Sequence, residues 1–155
     1  MILDVGCGNR SRGDVNCDLF MCEDNVGRPV VLNKMQSFVL CSGEFLPFKS
    51  EVFDKVLCSH VIEHVDNPFR LLYELVRVSR NEVVLRCPHR FSGGAKSPRH
   101  KSSFNSRWFT KALFEIGKVY RLSYDDDLKV TDVLRLGFDL QVTINRLSIE
   151  DVINK

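Results

Sequence analysis

Apolar and polar positions divide this chain into short blocks. Ile2–Val5 is apolar and opens straight onto Gly6, Cys7 and Gly8, which predicts a buried strand running into a glycine turn. A loop rich in Gly, Asn, Arg and Ser over 6–15 leads to a second β-prone block, Val15–Leu19. Residues 20–36 show no clear period, and Gly27 and Pro29 break any helix there. Ser37–Cys41 predicts a third strand and Leu46-Pro47-Phe48 a loop, because the residue before proline is driven out of the helical region. Val52–Cys58 alternates loosely and predicts a fourth strand. Asp66-Asn67-Pro68 then starts a helix, with a capping side chain followed by proline at the first helical position. That helix extends to about Ser79, with Phe69, Leu72 and Val76 on one face and Leu71, Leu75 and Val78 beside it. Glu82–Cys87 predicts a fifth strand around the buried run Val83-Val84-Leu85. After a Pro/Gly/Ser-rich loop over 88–104, a helix is expected over Ser106–Ile116, stopped by Gly117. Val119–Tyr124 and Phe138–Leu147 read as the last two strands, with Asp125-Asp126-Asp127 as a solvated turn between them.

Strands alternating with crossover segments give an α/β fold: one domain over 1–155, with a mostly parallel central sheet of about seven strands and helices on both faces. In such folds ligands sit outside the carboxyl ends of the strands. Gly6–Gly8, Asp18, Ser42–Glu44 and Ser59–His60 all fall at that edge. A strand entering a glycine turn, with an acidic residue ending the next strand, suits a nucleoside-bearing cofactor. A dinucleotide fits poorly, because the third glycine of G-x-G-x-x-G would stand at Ser11.

Composition narrows the surroundings. At 44% apolar and 27% charged residues the chain is an ordinary globular protein, with no run approaching the roughly 20 apolar residues of a membrane span. No signal peptide is visible, and six cysteines without a C-x-x-C pair read as reduced thiols, so a cytoplasmic setting is expected. The net charge of +2 hides an asymmetry: residues 86–111 hold seven Lys/Arg and no Asp or Glu, with His89 and His100 besides. Phe91, Phe104 and Trp108 interleave with those cations, as a nucleic-acid or other phosphate-bearing partner would require. The preferred reading is plainer, a solvated substrate loop with Phe104 and Trp108 packed into the core. His60 and His64 lie four apart but lack a carboxylate as third ligand, so no metal is expected, and His64 reads as a packing or capping residue.

The ordered motifs resemble the class I S-adenosylmethionine-dependent methyltransferases, in particular the small-molecule branch called type 11. Leu3–Gly8 is similar to that family's first motif, and Ser42-Gly43-Glu44-Phe45-Leu46-Pro47-Phe48 to its D-A-E-x-L-P-F segment. Val52–Val65, with His60-Val61-Ile62-Glu63-His64, resembles its S-F-D-x-V-x-x-x-H-V-L-E-H segment, and Glu74-Leu75-Val76-Arg77-Val78 its E-x-x-R-V helix. The resemblance covers roughly residues 2–88. It implies a Rossmann-like methyltransferase fold and S-adenosyl-L-methionine as cofactor, held by Asp4, Gly6, Cys7, Gly8, Asn9, Asp18, Leu19, Gly43, Glu44, Phe45, Ser59 and His60. Within that reading Asp18 takes the ribose hydroxyls, and Leu19 and Phe45 offer apolar surface to the adenine. Asp4 lies under the loop, accepting backbone N–H groups or facing the cofactor's ammonium, and His60 is the candidate general base toward an unidentified methyl acceptor.

Three departures from the family pattern carry expectations of their own. Nine residues separate Gly8 from Asp18, too few for the helix usually found there, so Arg10 or Arg12 is expected to meet the methionine carboxylate. The helix that usually precedes the first strand is absent, a reduction at the N-terminus that a second copy or a protein partner would cover. Ser42 stands where an aspartate usually contacts the adenine, leaving that contact to Gly43 and Glu44. The alternative to an active enzyme is a non-catalytic methyltransferase-like binding or regulatory subunit that needs a partner.

Overall fold

A computed structural model describes residues 1–23, 28–29, 37–119, 127–136 and 138–147. Its strands are β1 (Ile2–Val5), β2 (Val15–Asp18), β3 (Cys22–Glu23), β4 (Arg28–Pro29), β5 (Phe38–Leu40), β6 (Phe53–Ser59), β7 (Ser79–Pro88), β8 (Asp127–Leu136) and β9 (Asp139–Leu147). Two helices, α1 (Pro68–Val78) and α2 (Ser106–Val119), join them. The main sheet runs β5-β2-β1-β6-β7-β9-β8, while β3 and β4 form a separate antiparallel pair. Pairing is parallel from β5 to β7 and antiparallel from β7 through β9 to β8.

Register sorts the side chains into two faces. Leu3 and Val5 line up with Val56 and Cys58, then with Val83 and Leu85, then with Ile144 and Val142, and all of these are buried. Both helices pack on this face and on each other. Helix α1 begins as its sequence demands: Asn67 Oδ1 accepts the Arg70 N–H at 3.0 Å and Pro68 takes the first helical position. It buries Leu71, Leu72, Leu75, Val76 and Val78, each leucine contributing about 1.5–3 kcal/mol of apolar transfer.

The opposite face is mixed, with Leu57 and Val84 paired among polar neighbours. Lys55, Ser59, Glu82, Arg86, Gln141 and Thr143 line a hollow of about 350 Å³ together with Arg12. Its polar groups are paired across the strands: Lys55 with Glu82 at 2.5 Å and Arg86 Nε with Gln141 Oε1 at 2.7 Å. The described residues between Gly6 and Asp14 form turns and contain no helix, as the short spacing requires.

Two expectations are corrected at the C-terminal end. Helix α2 does not stop at Gly117 but continues to Val119. Phe109, Ala112, Leu113 and Ile116 are buried along its inner stripe, and that packing outweighs the ~1 kcal/mol that glycine costs inside a helix. Val119 is therefore helical rather than the start of a strand, the rest of the strand expected over 119–124 lies outside the described residues, and β8 stands at Asp127–Leu136. Asp127 opens that strand instead of closing a turn, whereas residues 120–126, with Asp125 and Asp126, lie outside the described residues. Among the described residues, no helix is long and apolar enough to cross a membrane.

Candidate functional site

The carboxyl ends of β1, β2, β5 and β6 meet at one edge, and four loops assemble there. The Gly6 and Cys7 N–H groups both donate to the Cys17 carbonyl, at 2.8 and 3.2 Å, so the glycine turn leans onto β2. Gly6 and Gly8 adopt left-handed backbone, φ +70° and +48°. The Gly8 N–H donates to Asp18 Oδ2 at 2.9 Å and the Phe20 N–H to Asp18 Oδ1 at 3.2 Å. Each Asp18 oxygen thus accepts one backbone proton and keeps a lone pair for a ligand hydroxyl. Asn9 is half-buried in the same turn, which the Arg10 N–H closes onto the Cys7 carbonyl at 3.0 Å.

Cys7 is 5% exposed. Burial, helped by the charges of Asp18 and Asp4, pushes its thiol up to about 12. We therefore expect Cys7 to resist iodoacetamide at pH 8, with alkylation rising only toward strongly alkaline pH; peptide mass spectrometry after timed quenching reads this directly. Modification at the rate of a free thiol contradicts it.

Asp4 has 0% exposure and is paired completely within the chain. It accepts the Arg12 backbone N–H at 2.9 Å and both arms of its guanidinium, Nε at 3.1 Å and Nη2 at 2.9 Å. Asp4 thus holds the loop from below, and the bidentate pair raises the Arg12 guanidinium. Arg12 is occupied by this carboxylate, which leaves Arg10, exposed at the turn, as the residue of the two positioned for a ligand carboxylate.

The third loop follows β5. Gly43 passes so close to α1 and β1 that a Cβ there would stand 2.7 Å from Leu71 Cδ1 and 3.2 Å from Val5 Cγ1. Ser42 closes the turn, its hydroxyl accepting the Glu44 N–H at 3.2 Å and its carbonyl the Phe45 N–H at 3.1 Å. One oxygen of the Glu44 carboxylate serves the helix start, Oε1 accepting the Asn67 N–H at 2.8 Å. Phe45 is 68% exposed, with the Arg70 guanidinium 5.1 Å from its ring centre. Leu19 and Leu40 are 54% and 55% exposed at the ends of adjacent strands, and Asp18 pairs with Leu40. Leu19, Leu40 and Phe45 are thus large apolar side chains left in water at the ends of these strands and loops. Leu40 escapes sequence reasoning because only strand pairing shows which side of the third strand faces the crevice.

The fourth loop leaves β6 at Ser59, which pairs with Arg86 of β7. His60 adopts φ +56°, uncommon for a non-glycine residue, and its N–H donates to the Arg86 carbonyl at 2.9 Å. Its imidazole stands between two carboxylates, Nδ1 3.3 Å from Glu63 Oε1 and Nε2 3.3 Å from Asp139 Oδ2. The Glu63 carboxylate, more than Asp139, holds the imidazole above its usual titration range, against the opposing effect of burial. The edge thus gathers Gly6–Asn9, Asp18, Leu19, Gly43–Phe45, Ser59 and His60. In the basic segment, Phe104 is buried and stacks edge-on against Trp108 at 4.7 Å, while Phe91 stands 73% exposed.

Residues 14–87 match the methyltransferase domain family. A methyltransferase of Mycobacterium avium, itself uncharacterized, is 41% identical over 58 residues, which are 37% of this chain and 23% of that protein. The chain thus spans about a quarter of the length of the curated relatives it matches at that level. Among solved structures, an S-adenosylmethionine-dependent methyltransferase of Thermotoga maritima, a possible histamine N-methyltransferase, superposes with a TM-score of 0.69 at 15% identity. The superposition covers 94% of this chain and 82% of that one. Magnesium protoporphyrin IX methyltransferase of Synechocystis, solved with bound S-adenosylhomocysteine, gives a TM-score of 0.60 at 16% identity over 95% of this chain and 74% of that one.

Proposed function

We propose that this chain is a class I S-adenosylmethionine-dependent methyltransferase that binds S-adenosylmethionine at the Gly6–Asp18 crevice and transfers its methyl group, a reading supported by the match over residues 14–87 and by the shared fold. The observation that carries the reading is the pairing of Gly8 N–H with Asp18 Oδ2 at 2.9 Å, which sets the left-handed glycine turn against a carboxylate with lone pairs to spare. Such an arrangement suits a ribose with vicinal hydroxyls beside a charged tail that approaches bare backbone.

The surrounding residues fit the same ligand. Leu19, Leu40 and Phe45 offer the apolar surface that an adenine ring needs, and Arg10 offers a cation for the methionine carboxylate. Arg12, the other cation of the turn, is held by Asp4. When bound, the cofactor supplies an electrophilic methyl group on a sulfonium, so the protein's task is orientation and electrostatics. His60 serves the acceptor side. Both its ring nitrogens already face carboxylates, so it positions an acceptor as it stands, and takes a proton only once one of those contacts opens.

Calorimetry on the purified chain tests the cofactor site. S-adenosylmethionine and S-adenosylhomocysteine should bind in the micromolar range and NAD should not. Asp18→Ala should weaken both by at least about tenfold, ~1.4 kcal/mol, with a thermal melt confirming that the variant is folded. Absence of binding, or affinity untouched by Asp18→Ala, refutes the assignment. Methyl transfer that appears only when a second protein is added would favour a regulatory subunit over a self-sufficient enzyme.

A further inference from the structure

A second cluster lies beyond His60, in residues that the cofactor reading does not use. Glu63, His64 and His100 each offer a ligand atom, and these atoms all lie within 4.8 Å of one another. Glu63 is 1% exposed, yet neither of its carboxylate oxygens accepts a hydrogen bond. His100 Nδ1 is likewise buried without a partner. A buried carboxylate left in this state is costly, because its lost hydration is not replaced. His60 Nδ1, 3.3 Å from Glu63 Oε1, faces one oxygen of that carboxylate.

The backbone holds the cluster together although the sequence separates its members. The Lys101 N–H donates to the Glu63 carbonyl at 2.8 Å, and the Lys101 ammonium pairs with Asp66 at 2.6 Å, pinning the 97–101 loop over the end of β6. His64 Nδ1 lies 3.3 Å from the Arg99 carbonyl. Donation there fixes the tautomer and leaves Nε2 with its lone pair free, the second-shell arrangement common to metal-bound histidines. The His64 and His100 rings meet edge to face at 4.8 Å.

We propose that Glu63, His64 and His100 bind one divalent cation of the zinc or cobalt type. Two imidazoles and one carboxylate match the donor set of open, three-ligand zinc sites, and nitrogen donors select against magnesium and calcium. Ligand bonds of about 2.0–2.1 Å place tetrahedral donors some 3.3–3.4 Å apart, so the side chains close by an ångström or so on binding. The sequence expectation of no metal considered only His60 with His64; the proposal brings in His100. Glu63 faces His60 on one side and the His64–His100 pair on the other. The proposal does not depend on nucleoside binding.

The chelator-treated full chain, titrated with Co²⁺, tests it. One equivalent should bind with a visible d–d band, Zn²⁺ should displace it, and Mg²⁺ at the same concentration should not. His100→Ala and Glu63→Gln should each weaken Co²⁺ binding at least about tenfold, and His89→Ala should leave it unchanged. Thermal melts separate a ligand from a merely structural residue. Without metal, Glu63→Gln should keep a cooperative melt, which shows that the variant is folded. With Zn²⁺ the parent should rise and the variant should not. If His100→Ala fails to fold, Glu63→Gln carries the test. A parent chain that binds no stoichiometric metal, or variants that bind as the parent does, overturns the proposal.

Discussion

Replacing Arg77 by alanine should destabilise the chain by about 3–5 kcal/mol, the cost of leaving a buried charge without its partner. Equilibrium urea unfolding checks it, as a lower midpoint at unchanged slope. Glu74 is 3% exposed on α1 and receives Arg77 Nε at 3.0 Å and Nη2 at 2.7 Å. The same guanidinium donates to the Phe48 carbonyl at 2.8 Å and the Leu46 carbonyl at 3.0 Å, while Glu74 accepts the Leu46 N–H at 2.9 Å. One carboxylate and one guanidinium therefore satisfy both polar groups of Leu46 and fasten the 42–48 loop to α1. Removing Arg77 strips Glu74 of two charged donors and orphans two carbonyls. The Leu46 N–H and Arg70, 3.5 Å away, then remain to face the carboxylate. Arg77→Lys should recover part of the loss, since an ammonium keeps the charge but cannot span the carboxylate and two carbonyls in one plane. The Glu74→Ala/Arg77→Ala pair should cost less than the sum of its singles, because the second change removes a group already unpartnered. Complete rescue by lysine, or strict additivity, would refute the clamp. S-adenosylmethionine affinity should fall with stability, because this loop carries Gly43–Phe45.

How far the sequence alone reached depends on how local each feature is. The strand-into-glycine opening, the Asn67–Pro68 helix start and the absence of a helix between Gly8 and Asp18 are set by neighbouring residues, and all three stand in the structure. The edge that gathers Gly6–Gly8, Asp18, Ser42–Glu44 and Ser59–His60 follows from strand order, which alternating β and crossover segments constrain strongly. The failures are features decided elsewhere in the chain. Gly117 looks like a stop signal, but the buried stripe of α2 overrides it. Arg12 looks available for a ligand until the fold brings it onto Asp4. Glu63 reads as one more letter of a motif. Its burial and its meeting with His100 come from a loop 37 residues on, and no local pattern encodes that contact.

Gly6→Ala should cost about 2–5 kcal/mol, and the share due to overpacking should disappear when Val61 is truncated. Two effects add at this position. The backbone at φ +70° is left-handed, which penalises any Cβ by roughly 1–2 kcal/mol. A Cβ would also stand 2.1 Å from Val61 Cγ2, a clash with a side chain packed against the core, and overpacking of this kind costs about 1–3 kcal/mol. Val61→Ala removes the offending methyl, leaving its Cβ 3.4 Å away, and so relieves the second effect but not the first. In the Val61→Ala background, Gly6→Ala should therefore cost only the backbone share, a coupling of at least ~1 kcal/mol in a double-mutant cycle of urea midpoints. Equal costs in both backgrounds would locate the requirement in the backbone alone. A coupling of the expected size ties the first glycine of the turn to the loop that bears His60: the glycine is small so that the loop after β6 can close against the turn after β1. The distance between the two halves of the crevice is then set by protein packing before any ligand arrives, and Gly6→Ala should weaken S-adenosylmethionine binding through Val61, at a residue that need not touch the cofactor.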